Sequence, residues 1–236
     1  MKQLALDIGL ATGPTLGRFF AGPNGAALQH LRLATGDGGD QATHAPLPTY
    51  LWGESGSGKT HLLEAVRQAL REQGGGVGWL DPGVVQSPAA PDFDETWTAV
   101  LMDDVHLYDP AQQAMAFNWF VNAISPANGP QRWVLAAGRL PPADLPLRDD
   151  LRSRLGWGHV FQLQLLDEAE RRAVLRQEAD ARGVFLGDEV MDYMLRRFAR
   201  DLGSLMQLLD QLDAFALRTQ RAITIPLLKS MLQEAQ

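Results

Sequence analysis

Apolar residues recur along this chain with two different periods, and the change of period divides it. Up to Leu166, short apolar runs alternate with stretches of helical spacing. The strand-like runs cover 47–52, 77–80, 97–102, 133–137 and 160–163. Helical spacing covers 26–33, with Leu28 and Leu31 inward, then 61–70, 111–124 and a short basic segment at 150–155. Alternation of this kind predicts an α/β fold, a parallel sheet with helices on both faces. After Leu166 the spacing is helical throughout. Asp167 is placed to cap a helix that runs to about Arg182 and stops at Gly183. Further helices are expected over 188–198 and 201–218, and Pro226 sits in the first turn of a fourth. The expected organisation is a tail over 1–10, an α/β domain over 11–164 and an all-helical lid over 165–236. Residues 35–46 are polar and glycine-rich, and 82–95 carry three prolines, so both read as connections. Phe19, Phe20, Trp119, Trp133 and Phe161 fall on apolar faces and are expected in the core.

Composition narrows the classes. The chain has 236 residues, 45% hydrophobic, with no cysteine and a formal net charge of −7. Disulfides and thiolate metal sites are excluded, and no apolar run reaches membrane-spanning length. The N-terminus lacks the apolar core of a secretion signal, so a cytoplasmic protein without membrane contact is expected. An acidic chain is a poor general DNA binder, so no strong direct DNA binding is expected. His30, His44, His106 and His159 show no metal-ligand spacing.

Chemistry concentrates at Gly53-Glu54-Ser55-Gly56-Ser57-Gly58-Lys59-Thr60, which fits G-x-x-x-x-G-K-[ST]. A strand precedes it and a helix follows it. Glycines let successive N–H groups curl toward phosphate oxygens, and the helix N-terminus adds partial positive charge. Lys59 is expected on the β- and γ-phosphates, Thr60 on Mg²⁺, and His61 flanks the loop. The run 97–102 ends in Asp103-Asp104, the form of a Walker B strand. Asp103 is then expected to hold Mg²⁺ and Asp104 to orient an attacking water. Helix capping is the competing reading of these two acids. In the tail, Gln3-Leu4-Ala5-Leu6 reads either as a frayed terminus or as a peptide ligand.

A phosphate loop, an acidic second strand, an arginine-bearing helix and a helical lid resemble the AAA+ ATPases. Phe19 to Asn24, Gly53 to Leu63 and Leu101 to His106 resemble the corresponding segments of the replication initiator DnaA. No helix-turn-helix DNA-binding domain is expected after the lid. That brings the resemblance nearer to the Hda family of DnaA-related regulators, as do Ser153 to Gly158, Leu209 to Asp213 and Ile223 to Pro226.

The resemblance implies an ADP- or ATP-bound protein with Mg²⁺ that meets the DNA-loaded β sliding clamp through Gln3, Leu4 and Leu6. It implies that Arg154 acts as an arginine finger, stimulating hydrolysis of ATP bound to DnaA and so restraining initiation. A surface ion pair is the alternative reading of Arg154, since Arg148 and Arg152 lie close by. Homo-oligomerisation stays open.

Two positions depart from the family pattern. Ala136-Ala137-Gly138 stands where related ATPases place a polar sensor, and Gly203 stands where the lid arginine belongs, with Arg200 one turn earlier. Weak intrinsic hydrolysis is therefore expected. A stand-alone ATPase of the helicase-loader type, and a clamp adaptor holding a structural nucleotide, are the alternatives.

Overall fold

The computed structural model describes residues 13–36, 47–83, 92–198 and 202–234. The chain forms two compact units, an α/β unit that ends at Leu163 and a helical unit from Gln164 onward, with which Glu54–Ser57 also group. The clamp-peptide residues Gln3, Leu4 and Leu6, and Arg200 of the lid, lie outside the described residues.

The α/β unit is built on five strands: β1 (Thr49–Trp52), β2 (Gly76–Leu80), β3 (Trp97–Met102), β4 (Trp133–Gly138) and β5 (His159–Gln162). They lie in the order β2-β3-β4-β1-β5, and every pair is parallel. Parallel strands need crossovers: α2 (Lys59–Glu72) joins β1 to β2, α3 (Pro110–Ile124) joins β3 to β4 and α4 (Asp149–Leu155) joins β4 to β5, while α1 (Gly25–Thr35) precedes β1. Because side chains alternate along a strand, each central strand feeds two cores. Tyr50, Val100, Met102, Val134 and Ala136 join Trp119, Phe120 and Leu151 on one face. Leu51, Ala99, Leu101, Leu135 and Ala137 join Leu28, Leu31, Leu62 and Val66 on the other. The sheet is thus covered on both faces, as its near-continuous apolar strands require.

The apolar pattern placed these elements to within a few residues and missed some of the packing. Helix α1 runs on through Thr35, read above as loop, and closes at Gly36 in the left-handed region (φ 70°). Phe19, Phe20 and Phe161 are half-buried rather than core. The first lies in a loop, and the last on an edge strand with one open side. Leu16, not singled out by periodicity, is buried. Arg132 is also buried: it donates to the carbonyls of Trp97, Pro130 and Glu95 and joins the starts of β3 and β4.

The helical unit contains α5 (Glu168–Ala181), α6 (Asp188–Phe198), α7 (Leu202–Thr219) and α8 (Ile225–Glu234). Asp167 opens α5 with a capping box to Glu170, and Pro226 lies in the first turn of α8. Leu175, Met191, Met194, Leu209, Leu212 and Leu227 fill its core. Arg172 and Arg176 of α5 clasp Asp188 of α6.

The packing of α1 beside β5 also brings together two histidines that are 129 positions apart. His30 of α1 and His159 of β5 have ring centroids 4.5 Å apart, and His30 Nε2 lies 2.9 Å from Thr49 Oγ1. That hydroxyl also accepts from Trp133 Nε1 (3.2 Å) and lies 3.5 Å from the Leu47 carbonyl oxygen. Burial, and secondarily His159, hold the His30 imidazole below its ordinary 6.5. The folded state therefore binds fewer protons at His30 than the unfolded chain, so this contribution is present above 6.5 and is lost as pH falls. All six tryptophans lie in the α/β unit, so their fluorescence reports its unfolding. The urea midpoint is expected to drop between pH 7.5 and 5.5, with a shallower slope in His30→Gln. An equal slope in that variant would contradict the assignment.

Gly158 sets the start of the β5 edge. A Cβ there would meet the Pro48 carbonyl oxygen at 1.9 Å, next to the hydrogen bond from His159 N to the same oxygen. Gly158→Ala is expected to destabilise the unit by about 2–4 kcal/mol in the same fluorescence assay. A loss below about 0.5 kcal/mol would show that this edge yields.

Candidate functional site

In a parallel sheet the carboxyl ends of the strands share one edge, and ligands gather there. Three chain segments leave that edge close together. Gly53 N, just past β1, donates to Gly138 O at the end of β4 (3.3 Å), and Asp103 N, just past β3, donates to Leu80 O at the end of β2 (2.9 Å). Two buried tyrosines reinforce the edge: Tyr50 donates to Leu140 O and Tyr108 to Leu80 O, each at 2.7 Å.

The phosphate loop leaves this edge at Gly53 and enters α2 at Lys59. Gly56 and Gly58 take positive φ (85° and 94°), a backbone that side chains resist. At Gly58 a Cβ would also press the Phe19 ring at 2.7 Å. Gly58 is the N-cap of α2 and supplies no side-chain cap, and the partial positive charge of a helix N-terminus favours an anion there. Lys59 is buried and donates from Nζ to Gly53 O (2.8 Å). Burial pulls its ammonium below the ordinary value, while Asp104 and Asp103 pull it back up. Glu54, Ser55 and Gly56 are exposed, Ser57 is buried, and half-buried His61 tilts against Phe19 with ring centroids 5.7 Å apart.

Asp103 and Thr60 meet although 43 positions separate them. The exposed Thr60 hydroxyl donates to Asp103 Oδ2 at 2.6 Å, and Asp103 Oδ1 accepts from Asp104 N at 2.9 Å. Asp103 is only 4% exposed, and burial pushes its carboxyl up. A buried carboxylate beside a hydroxyl is a hard-oxygen pair that suits Mg²⁺. Among the described residues no three acids or histidines cluster, so such an ion would complete its shell with phosphate oxygens and water. Asp104 adopts a left-handed backbone (φ 46°) that Asp tolerates, and its carboxylate lies 3.9 Å from His106 Nδ1.

Ala136 and Ala137 are both fully buried, one in each core. Arg139, one residue past β4, is exposed. Gly203 lies exposed in the first turn of α7.

The three arginines at α4 separate by partner. Arg148 forms a two-point ion pair with Asp150 (2.6 and 2.7 Å). Arg152 pairs with Asp149 at 2.6 Å. Among the described residues Arg154 makes no carboxylate contact: it donates to the Asp150 carbonyl at 3.2 Å and lies 4.8 Å from the centroid of the Phe117 ring. Sequence reasoning passed over Phe117, although a signal was present. The buried stripe of α3 is Gln112, Ala116, Trp119, Phe120 and Ala123, and Phe117 is an aromatic off that stripe.

A five-stranded parallel sheet with a glycine loop entering a helix and a buried acid ending the second-neighbour strand defines a P-loop protein of AAA+ architecture. Comparison with solved structures bears on this. Domain III of DnaA from Thermotoga maritima matches with a TM-score of 0.72 at 20% identity, over 99% of this chain and 98% of that one. AMPPCP-bound DnaA from Aquifex aeolicus matches at 0.65 and 22% identity, over 85% of this chain and 65% of that one. The RuvB Holliday junction branch migration motor of Thermotoga maritima matches at 0.65 and 17%, over 93% and 71%. Residues 167–232 match the family model described as Hda, lid domain. The chain therefore has the fold of DnaA domain III, and its residues 167–232 are similar to the lid domain of Hda.

Lys59→Ala removes the cation at the loop and is expected to weaken ADP binding, measured by calorimetry with Mg²⁺, by about 1.5–3 kcal/mol, tenfold or more. Unchanged affinity would exclude this loop as the phosphate site.

Proposed function

We propose that the protein binds an adenine nucleotide with Mg²⁺ at Gly53–Thr60 and Asp103, and uses Arg154 to complete the hydrolytic site of another ATPase, DnaA. The observation that carries this is the sorting of the α4 arginines. Arg148 and Arg152 are committed to acids, while Arg154 holds only a carbonyl and an aromatic ring. Asp150 feels the Arg154 charge without forming a close ion pair with it, and a guanidinium held so loosely can meet phosphate charge that grows in the transition state, a contribution of about 10³–10⁵ in rate for such fingers. The Hda lid and the DnaA-like fold support DnaA as the partner. In this reading the bound nucleotide orders the α/β unit that presents Arg154. Weak turnover by the chain itself follows from the two alanines of β4, which offer no polar group to a water. The DNA-loaded sliding clamp would be engaged through Gln3, Leu4 and Leu6, bringing the protein to the initiator. The outcome would be restraint of replication initiation.

The stand-alone ATPase reading has one observation in its favour, the formed Thr60–Asp103 pair with Asp104 beside it. Brisk hydrolysis by the isolated protein, abolished in Asp104→Asn, would establish that reading instead.

The test is hydrolysis of radiolabelled ATP on DnaA with DNA-loaded clamp. The wild-type chain is expected to stimulate it. Arg154→Ala is expected to lose the stimulation by about 10³-fold, with Arg152→Ala close to wild type. The double substitution of Gln3 and Leu6 by Ala is expected to remove only the dependence on clamp. Undiminished stimulation by Arg154→Ala would overturn the proposal.

A further inference from the structure

We propose that Phe117 of α3 is the positioning residue for the Arg154 guanidinium, an inference that rests on the finger reading of Arg154. Two guanidiniums lie against this one ring, Arg154 at 4.8 Å and Arg148 at 5.0 Å from its centroid. They are not equivalent. Arg148 is neutralised by the two-point pair with Asp150, whose carboxyl is held below its ordinary range chiefly by that hydrogen bonding.

The pairing matters because Asp150 and Arg154 stand four positions apart on α4. At that spacing an acid and a base on one helix ordinarily pair. Here Arg148 takes the Asp150 carboxylate, and Arg154 reaches only the Asp150 carbonyl. Arg148 is itself tied to α3, since its backbone N–H donates to Gln113 Oε1 at 2.9 Å. Gln113 and Phe117 are one helical turn apart on α3, so a single stretch of that helix fixes both ends of the arrangement.

The chemistry suits a finger. A carboxylate would hold Arg154 firmly and compete with the phosphate it has to meet. An aromatic face attracts the cation more weakly and leaves its N–H fork free to donate. Phe117 is half-buried: it packs against the core on that face of the sheet and also carries the two guanidiniums. It therefore acts through Arg154, and it lowers the conformational freedom the guanidinium would lose on engaging a partner.

The experiment titrates the full-length protein against ATP-loaded DnaA with DNA-loaded clamp and separates the maximal stimulated rate from the concentration giving half of it. Phe117→Leu keeps apolar bulk and removes the aromatic face. It is expected to lower the maximal rate by about three- to tenfold, at an unchanged half-saturating concentration. Phe117→Trp is expected to restore the rate. Tryptophan fluorescence and ADP binding check that the Leu variant is folded, and Phe117→Met, unbranched and without a ring, carries the same test if it is not. A raised half-saturating concentration with the maximal rate intact would overturn the inference, because Phe117 would then be a partner contact. A maximal rate in Phe117→Leu equal to wild type, beside an inactive Arg154→Ala, would sink the platform and leave the finger standing. An active Arg154→Ala would remove both.

Discussion

Parallel pairing of all five strands is the constraint from which the site follows. Each crossover returns the chain to the same starting edge, so the carboxyl ends of β1, β3 and β4 leave the sheet side by side. That is why Thr60 and Asp103 can share a 2.6 Å hydrogen bond across 43 residues. The strands deliver their polar ends to this edge because their middles are apolar on both faces. Ala99, Val100, Leu101 and Met102 divide strictly between two cores, and the next residue, Asp103, is the first that cannot enter either without a partner. Thr60 and the backbone of Asp104 supply its partners, which explains how a carboxylate only 4% exposed is tolerated.

The proposed nucleotide site and the arginine cluster use charge in opposite ways. At the first, a buried lysine and a buried acid are each held by hydrogen bonds. At α4, among the described residues, two of the three arginines form close ion pairs. Asp149 and Asp150 could satisfy two of three arginines, and they take Arg152 and Arg148. Arg154 is left beside an aromatic ring, in a state that costs less to leave than an ion pair would.

Much of this was legible from residue order alone. The phosphate loop and the acids after 97–102 were readable because each is a local pattern whose meaning comes from the strand before it. The fold class followed from strand and helix alternating up to Leu166, and the helical unit from its unbroken 3.6-residue period with Asp167 and Pro226 at helix starts. What stayed hidden depends on contacts between distant segments. Nothing local distinguishes Arg154 from Arg148 or Arg152, since the separation rests on which acid each reaches. His30 and His159 showed no ligand spacing, yet the packing of α1 beside β5 brings their rings together. The crowding at Gly158 comes from the Pro48 carbonyl of the neighbouring strand start. Phe161 looked like core because apolarity does not reveal whether a strand is an edge, and Phe19 because it does not reveal a place in a loop.

The central claim is that Arg154 meets the phosphate in flight on another protein. Aluminium fluoride, which mimics that phosphoryl group, tests it without reference to turnover. ADP-loaded DnaA, DNA-loaded clamp and this protein would be mixed with aluminium fluoride and the assemblies isolated by gel filtration. The account predicts a stable fluoride-dependent complex with the wild-type chain and none with Arg154→Ala. Equal trapping by Arg154→Ala would contradict it.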